Sequence, residues 1–179
     1  MPRGGCLCGK IRIAYYGEPN AKVISPFSAA FIRSRSPYHN HTNQESKKLN
    51  AGTYLRRAQV ICHCTDCRKI SGSTYGVDLL IPTDRFFVTA GDVRKYQKPA
   101  DSGRILTSHF CGDCGTTLFR ECYDDPSAFG GAVIVKLGVL DGEQRSVLDD
   151  AKPTAELFVG QRVGWVAPIE GAEQRAGMH

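Results

Sequence analysis

The fold of this chain is organised around one stretch, Val60-Ile61-Cys62-His63-Cys64-Thr65-Asp66-Cys67-Arg68-Lys69. Three cysteines at C-x-C-x-x-C spacing come directly after a β-branched pair, and that pair predicts the end of a strand. A strand that runs into such a turn can bring three sulfur atoms to one point. We call Cys62, Cys64 and Cys67 the trio.

Four more cysteines lie far from the trio in sequence and form two close pairs. They are Cys6 with Cys8, and Cys111 with Cys114, and we call them the quartet. A glycine follows each pair and allows a tight turn around the sulfurs. Structural zinc sites take four protein ligands, whereas catalytic sites take three and keep one position open. The sequence therefore predicts two Zn²⁺ ions per chain, a structural one on the quartet and an open one on the trio.

No residue near the trio is an obvious fourth ligand. The candidates are His63, Asp66, His109 and Cys122. The side chain of His63 points away from its cysteine neighbours if the segment is extended, because successive side chains alternate. Cys122 follows a predicted strand and is interpreted as a core or surface thiol. A zinc ion on three thiolates suits capture of a soft thiolate better than activation of water, so the sequence favours a thiol or thiol adduct as substrate.

Length and composition place limits on the protein class. The 179 residues fit a single domain, and no apolar run approaches the roughly 20 residues that span a bilayer. The N-terminal residues lack the apolar segment of a secretory signal, so we expect a cytoplasmic protein. In that compartment eight closely paired cysteines indicate metal thiolates rather than a disulfide framework. Buried free thiols are the alternative for any single pair.

The net charge of +5 comes from one polar segment, residues 24–59. That segment holds six of the 23 basic residues and one of the 18 acidic residues, so the rest of the chain is neutral. A nucleic-acid partner is therefore not expected, because a binding footprint usually crosses the folded face. The segment has no periodicity and is interpreted as a mobile surface loop or as foreign sequence, such as a translated intron. Its histidines, His39 and His41, are interpreted as solvated loop residues.

Short alternating or apolar runs dominate the remaining chain, so the predicted class is mainly β with a single domain. One helical turn is predicted over 68–73, ending at Gly72. The expected domain covers 1–170, and residues 171–179 are expected to form a flexible tail. The predicted strands are 10–16, 75–81, 86–89, 93–97, 104–110, 116–120, 132–137, 156–159 and 164–166.

Three cysteine motifs, in order, resemble the glutathione-dependent formaldehyde-activating enzyme family, which also includes centromere protein V. They are residues 5–9, 62–73 and 110–115, and the late segment 156–169 resembles the usual C-terminal end of the family. The resemblance implies several small coiled antiparallel β-sheets around zinc, with structural zinc on the quartet and a second zinc on the trio. It also implies condensation of formaldehyde with glutathione, a reaction classed with carbon–sulfur lyases.

Four residues after the trio are candidates for substrate binding. Arg68 and Lys69 could meet substrate carboxylates, or they could be solvated charges. Ser71 and Ser73 could donate hydrogen bonds to a developing alkoxide, or they could cap the helix end.

The predicted function is a zinc-dependent carbon–sulfur lyase that acts on an aldehyde adduct of glutathione or another thiol. One alternative is a non-catalytic zinc module that binds a protein or chromatin. The other is an enzyme of the same family recruited to tailor a small metabolite.

Overall fold

The computed structural model describes residues 2–16, 59–101, 103–141 and 152–178, and strands dominate these ranges. The two α-helices within these ranges are short, α1 (Thr65–Ser71) and α2 (Ala128–Gly131). The predicted mainly-β class is confirmed. The strands in chain order are β1 (Arg3–Gly5), β2 (Arg12–Tyr15), β3 (Gln59–Cys62), β4 (Gly76–Pro82), β5 (Phe86–Ala90), β6 (Val93–Pro99), β7 (Ile105–Cys111), β8 (Thr117–Cys122), β9 (Ala132–Lys136), β10 (Ala155–Leu157) and β11 (Glu173–Arg175).

The strands form two sheets. A three-stranded antiparallel sheet has the order β1-β2-β5, and an eight-stranded sheet has the order β11-β10-β3-β4-β9-β8-β7-β6. Every pair in the larger sheet is antiparallel except β11–β10 and β10–β3, which are parallel. The predicted antiparallel pairing therefore holds for all but one edge of the larger sheet, which is mixed.

The main core lies between the two sheets and follows the two-residue period of the strands. The first predicted strand contributes Ile11, Ile13 and Tyr15, each at most 2% exposed, as its alternation predicts. The larger sheet contributes alternate residues of β4 and β9 together with β8: Leu79, Ile81, Leu118, Phe119, Val133 and Val135.

The opposite face of the larger sheet carries buried charges. Asp78 on β4 is the direct cross-strand partner of Lys136 on β9, and Arg120 on β8 is the partner of Ile134. Because side chains alternate along a strand, Asp78 and Leu80 lie on the same face as these partners. The sheet register therefore places two cations and one anion side by side.

Helix α1 packs across the start of β4 on this charged face. A β-carbon at Gly76 would lie 3.2 Å from Cβ of Cys67, which is tighter than an ordinary contact, so the glycine favours this close approach of the helix. The helix begins three residues earlier than predicted, because the sulfur of Cys64 caps it by accepting the backbone N–H of Cys67. It ends as predicted, with Gly72 in the left-handed region at φ 62°.

The C-terminal segment differs from the expectation. Residues 164–166 form a turn rather than a strand, and Glu173–Arg175 of the expected tail form β11 beside β10. The predicted insert lies outside the described residues except for Gln59, which begins β3. Neither described helix has the length and apolar character needed to cross a membrane.

Candidate metal centres and active site

The quartet brings together two loops that are about a hundred residues apart in sequence. Cys6 and Cys8 lie in the turn between β1 and β2, and Cys111 and Cys114 lie in the turn between β7 and β8. Their four sulfur atoms all lie within 4.8 Å of one another. The Cys6 and Cys8 sulfurs are 3.4 Å apart, and the Cys8 and Cys111 sulfurs are 3.7 Å apart.

These separations fit a tetrahedral zinc ion. Zinc–sulfur bonds of about 2.3 Å place neighbouring sulfurs about 3.8 Å apart, whereas a disulfide needs about 2.05 Å. Local donors also point at the sulfurs, since the backbone N–H of Ile11 donates to Cys6 Sγ at 3.2 Å. Hydrogen bonds from Thr116 lower the pKa of the Cys114 thiol to about 5. All eight cysteines of the chain are free thiols, so the donor set of the quartet fits structural zinc.

The trio lies at the junction of β3 and α1. Cys62 ends the strand, Cys64 caps the helix and Cys67 lies in its first turn. The three side chains are buried, and their sulfur atoms lie within 4.8 Å of one another.

The trio is arranged to hold a cation. Hydrogen bonds from Cys62 and Cys67 lower the pKa of the Cys64 thiol to about 2, because its thiolate is the acceptor that the other two thiols share. The same crowding raises the pKa of Cys62 to about 12 and raises the pKa of Cys67. A metal ion that replaces these protons would relieve the crowding. The three thiols therefore fit the predicted second zinc.

No His, Cys, Asp or Glu of the described ranges joins the trio as a fourth ligand. His63 points away, as predicted, and its Nε2 lies 2.8 Å from Oε2 of Glu156. His109 stacks on Phe119 with ring centroids 4.1 Å apart. The buried thiol of Cys122 donates to a neighbouring aspartate at 3.1 Å. The remaining candidate, Asp66, lies beside the trio but bonds instead to a lysine.

A cavity of about 60 Å³ opens next to the trio. Its polar part consists of Asp66, Asp78, Asp101 and Arg120, in addition to the three cysteines. Most of its wall is apolar and comes from β3, β4, β7, β9, β10, α2, the residue after β6 and the C-terminal segment: Val60, Leu80, Ala100, Leu106, Phe129, Ile134, Leu157, Phe158 and Met178.

Two ion pairs stabilise the acids beside the trio. Lys136 Nζ donates to Asp78 Oδ1 at 2.7 Å, and Lys98 Nζ donates to Asp66 Oδ1 at 2.5 Å. Burial lowers the pKa of Lys136, but the charges of Asp78 and Cys67 outweigh that effect and leave its pKa raised. Lys136 therefore stays protonated beside the trio and offsets its negative charge.

Another buried carboxylate lies on β10, beside the strand that ends in the trio. Glu156 on β10 is 1% exposed and accepts four groups, the ring of His63, the guanidinium of Arg162, the amide N–H of Ile169 and the side chain of Gln174. These bonds tie the C-terminal segment to the strand that ends in the trio. They also explain why β11 pairs with β10 where a tail was expected.

The four predicted substrate-binding residues do not line the cavity. Lys69, Ser71 and Ser73 are exposed, and Arg68 is half-buried. The hydroxyl of Ser71 donates to the carbonyl oxygens of Arg68 and Tyr75 at 3.3 and 3.0 Å, so it caps the helix end. Ser71 therefore has a structural role at the helix end, and substrate binding by these four residues stays a prediction.

Sequence reasoning missed the charged face of the site. Asp78, Arg120 and Lys136 were assigned to strands and given no role. The sequence did contain a signal for this face. Charged residues inside otherwise apolar strands are rarely buried without a partner, so Asp78, Arg120 and Lys136 together indicate a buried charged site.

The described geometry can be compared with known proteins. The sequence profile of the family described as glutathione-dependent formaldehyde-activating enzyme matches residues 46–161. This range includes the trio and one pair of the quartet, and it begins inside the predicted insert. A protein of Penicillium rubens that carries the same enzyme name provisionally is 28% identical over 102 residues, which cover 57% of this chain and 51% of the relative. The chain thus spans about half the length of that relative.

Among solved structures, a crystal structure of a Rhodobacter sphaeroides protein superimposes with a TM-score of 0.45 and 15% identity. The superposition covers 83% of this chain and 96% of that chain. The family profile matches about two thirds of the sequence, and the resemblance seen in the cysteine motifs is confirmed. The chain belongs to the glutathione-dependent formaldehyde-activating enzyme family.

Proposed function

We propose that this chain is a zinc-dependent enzyme of the carbon–sulfur lyase type that forms and cleaves the adduct of a thiol with an aldehyde. The thiol is glutathione or a similar molecule, and the aldehyde is formaldehyde or another small one. The observation that carries the proposal is the trio, three buried sulfurs within 4.8 Å of one another beside a cavity.

Zinc held by the trio would supply a Lewis-acid position that accepts a soft thiolate. The chain's own residues support the same chemistry. Most of the cavity wall is apolar, Lys98 and Lys136 neutralise Asp66 and Asp78, and Arg120 adds a cation at the wall where a thiolate must lose its solvation shell. The quartet holds the N-terminal turn against the β7–β8 turn and thereby supports the sheet that carries these cations.

The size of the cavity indicates that only part of the substrate enters it. A volume of about 60 Å³ is far below the roughly 300–1,000 Å³ of typical ligand pockets, so the cavity does not enclose a molecule of the size of glutathione. The sulfur and the aldehyde carbon and oxygen would therefore enter, and the peptide part of the thiol would stay on the surface.

The direct test is the exchange of ¹³C-labelled formaldehyde between its free form and its glutathione adduct, measured by exchange NMR with zinc-loaded protein. We expect faster exchange than the spontaneous reaction gives. Cys64→Ser should abolish the acceleration, because it removes one ligand while serine still caps α1. Cys122→Ser is the matched control, since this thiol lies outside both clusters, and it should leave the acceleration intact.

An exchange rate equal to the spontaneous rate, with wild-type protein that contains two zinc ions, would remove the assignment to formaldehyde and glutathione. Equal acceleration by wild type and Cys64→Ser would show that the trio is not the reacting site. Membership in a family named for an enzyme favours catalysis over the non-catalytic zinc module.

A further inference from the structure

Arg120 is a buried cation whose role the trio does not explain. It lies on β8, it is 3% exposed and it borders the same cavity as the trio. A buried guanidinium is costly unless charges and hydrogen-bond acceptors compensate it. The partners of Arg120 therefore indicate whether it serves packing alone.

The pairing of Arg120 is incomplete within the described residues. Its nearest carboxylate oxygen, Oδ2 of Asp66, lies 4.0 Å from a terminal nitrogen, which is beyond hydrogen-bond distance. Its Nε is buried and has no hydrogen-bond acceptor, and Oδ2 of Asp66 has no donor. Lys98 already holds the other oxygen of Asp66 at 2.5 Å. The Nε donor of Arg120 thus has no partner in the described ranges, and the residue borders the cavity.

The cavity limits what this donor can bind. The wall near Arg120 combines Asp66 with apolar side chains, among them Ile134, the cross-strand partner of Arg120, and Leu80, the partner of Ile134 on β4. A guanidinium in such surroundings prefers an oxygen that carries negative charge. With about 60 Å³ available, the group that carries the oxygen must be small.

We propose that Arg120 binds the carbonyl oxygen of a one- or two-carbon aldehyde and stabilises the alkoxide that forms when the thiol adds to it. This inference rests on the proposed function and names the oxygen-binding residue of that site. In this proposal the apolar wall of the cavity excludes branched and aromatic aldehydes.

The step balances without a further reactant. The thiolate sulfur attacks the carbonyl carbon, a carbon–sulfur bond forms, and the electron pair of the carbon–oxygen π bond moves to oxygen. Arg120 donates a hydrogen bond to the alkoxide, and the proton that the thiol lost returns to that oxygen and gives the hydroxyalkyl thioether. Cleavage of the adduct is the same sequence reversed.

The first test distinguishes oxygen binding by Arg120 from a packing role by measuring kcat and KM separately. We expect Arg120→Gln to lower kcat by about 10²–10³, which is the usual effect of removing one oxyanion donor, with little change in KM for the thiol. The matched control is Arg104→Gln, an arginine that precedes β7, pairs with Asp125 at 2.7 Å and does not line the cavity. It should keep wild-type kinetics. Equal losses of kcat in the two variants would contradict the proposal.

The second test does not depend on catalysis and uses formate, a stable anion of the size of formaldehyde. Calorimetry should show formate binding to wild type and to Arg104→Gln, and at least about tenfold weaker binding to Arg120→Gln, because a charged hydrogen bond is lost. Pivalate, a branched carboxylate, should not bind. If Arg120→Gln does not fold, Arg120→Lys keeps the charge opposite Asp66, lacks the Nε donor, and should show the same weakening.

Formate affinity that is unchanged in the Arg120 variants would overturn the inference, and it would place the anion elsewhere, for example on the metal of the trio. The measurements distinguish a failure of the proposed function from a failure of the inference about Arg120. Wild type that binds formate through Arg120 but does not accelerate adduct formation would contradict the proposed function alone. Acceleration that survives Arg120→Gln would contradict the inference alone.

Discussion

Replacing Glu156 by glutamine tests the contact that joins the C-terminal segment to the trio-bearing strand. The carboxylate accepts the amide N–H of Ile169 at 2.5 Å and the side chain of Gln174 at 3.0 Å through one oxygen. Through the other oxygen it meets His63 at 2.8 Å and Arg162 at 3.0 Å. A glutamine keeps the shape of the side chain but turns an NH₂ group toward one of these sets of donors.

The magnitude follows from the pKa of this carboxyl group. Burial raises its pKa, but the hydrogen bonds from Gln174 and Ile169, the contact with His63 and the charge of Arg162 together lower it from 4.5 to about 2. A group with that difference between the unfolded and folded states contributes about 3 kcal/mol to the free energy of unfolding at neutral pH. We expect Glu156→Gln to lose about that amount.

The sign of the pH dependence follows from the direction of the shift. Because the folded pKa of Glu156 is lowered, its contribution is complete above about pH 4.5 and is lost as the pH falls toward 2. The difference in unfolding free energy between wild type and Glu156→Gln should therefore be largest near neutrality and shrink in acid.

Urea unfolding of the zinc-loaded proteins measures the difference, and hydrogen exchange at the Ile169 amide reports whether the C-terminal segment is released. Glu170→Gln in the same C-terminal segment is the control. Glu170 is exposed, so loss of its charge should cost no more than about 0.5 kcal/mol. A Glu156→Gln protein that loses less than about 1 kcal/mol and keeps its Ile169 amide protected would refute this reasoning.

Three further predictions concern other parts of the structure. Lys136→Met should cost about 3–5 kcal/mol in urea unfolding, because it leaves Asp78 buried without its cation, and adding Asp78→Leu should recover much of the loss. Cys6→Ser should prevent stable folding because the quartet loses a ligand, whereas Cys64→Ser should fold with one zinc ion fewer by elemental analysis; equal stability of the two would contradict their different roles. Gly91→Ala should lower the melting temperature, since φ is 77° and the added β-carbon would lie 2.4 Å from a backbone oxygen; an unchanged value would show that this turn can relax.

The sequence predicted the parts of the structure that short-range patterns specify. Alternation identified the buried face of residues 11–15, cysteine spacing identified both clusters, and a glycine marked the end of α1. Each of these features depends on residues that are neighbours in the chain or on the chemistry of one residue type.

The unpredicted features depend on which strands become neighbours. Asp78 and Lys136 form an ion pair because β4 and β9 are adjacent in register, and no local pattern states that adjacency. Strand β11 has only three residues and no apolar pattern, so its pairing depends on β10 and on the bonds to Glu156. The site is partly hidden from sequence reasoning for the same reason, since long-range strand pairing brings Arg120 to the cavity beside the trio.

The central claim is that the trio gives zinc three protein ligands and leaves one position for a thiol. X-ray absorption at the zinc edge tests it most directly, with a selenol analogue of glutathione as the added ligand. Both zinc ions contribute to the spectrum, so we expect an average of about 3.5 sulfur ligands per zinc, from four on the quartet and three on the trio. A zinc–selenium distance should appear on adding the analogue and be absent in Cys64→Ser. Two zinc ions that both have four protein ligands, with no selenium neighbour, would contradict the claim.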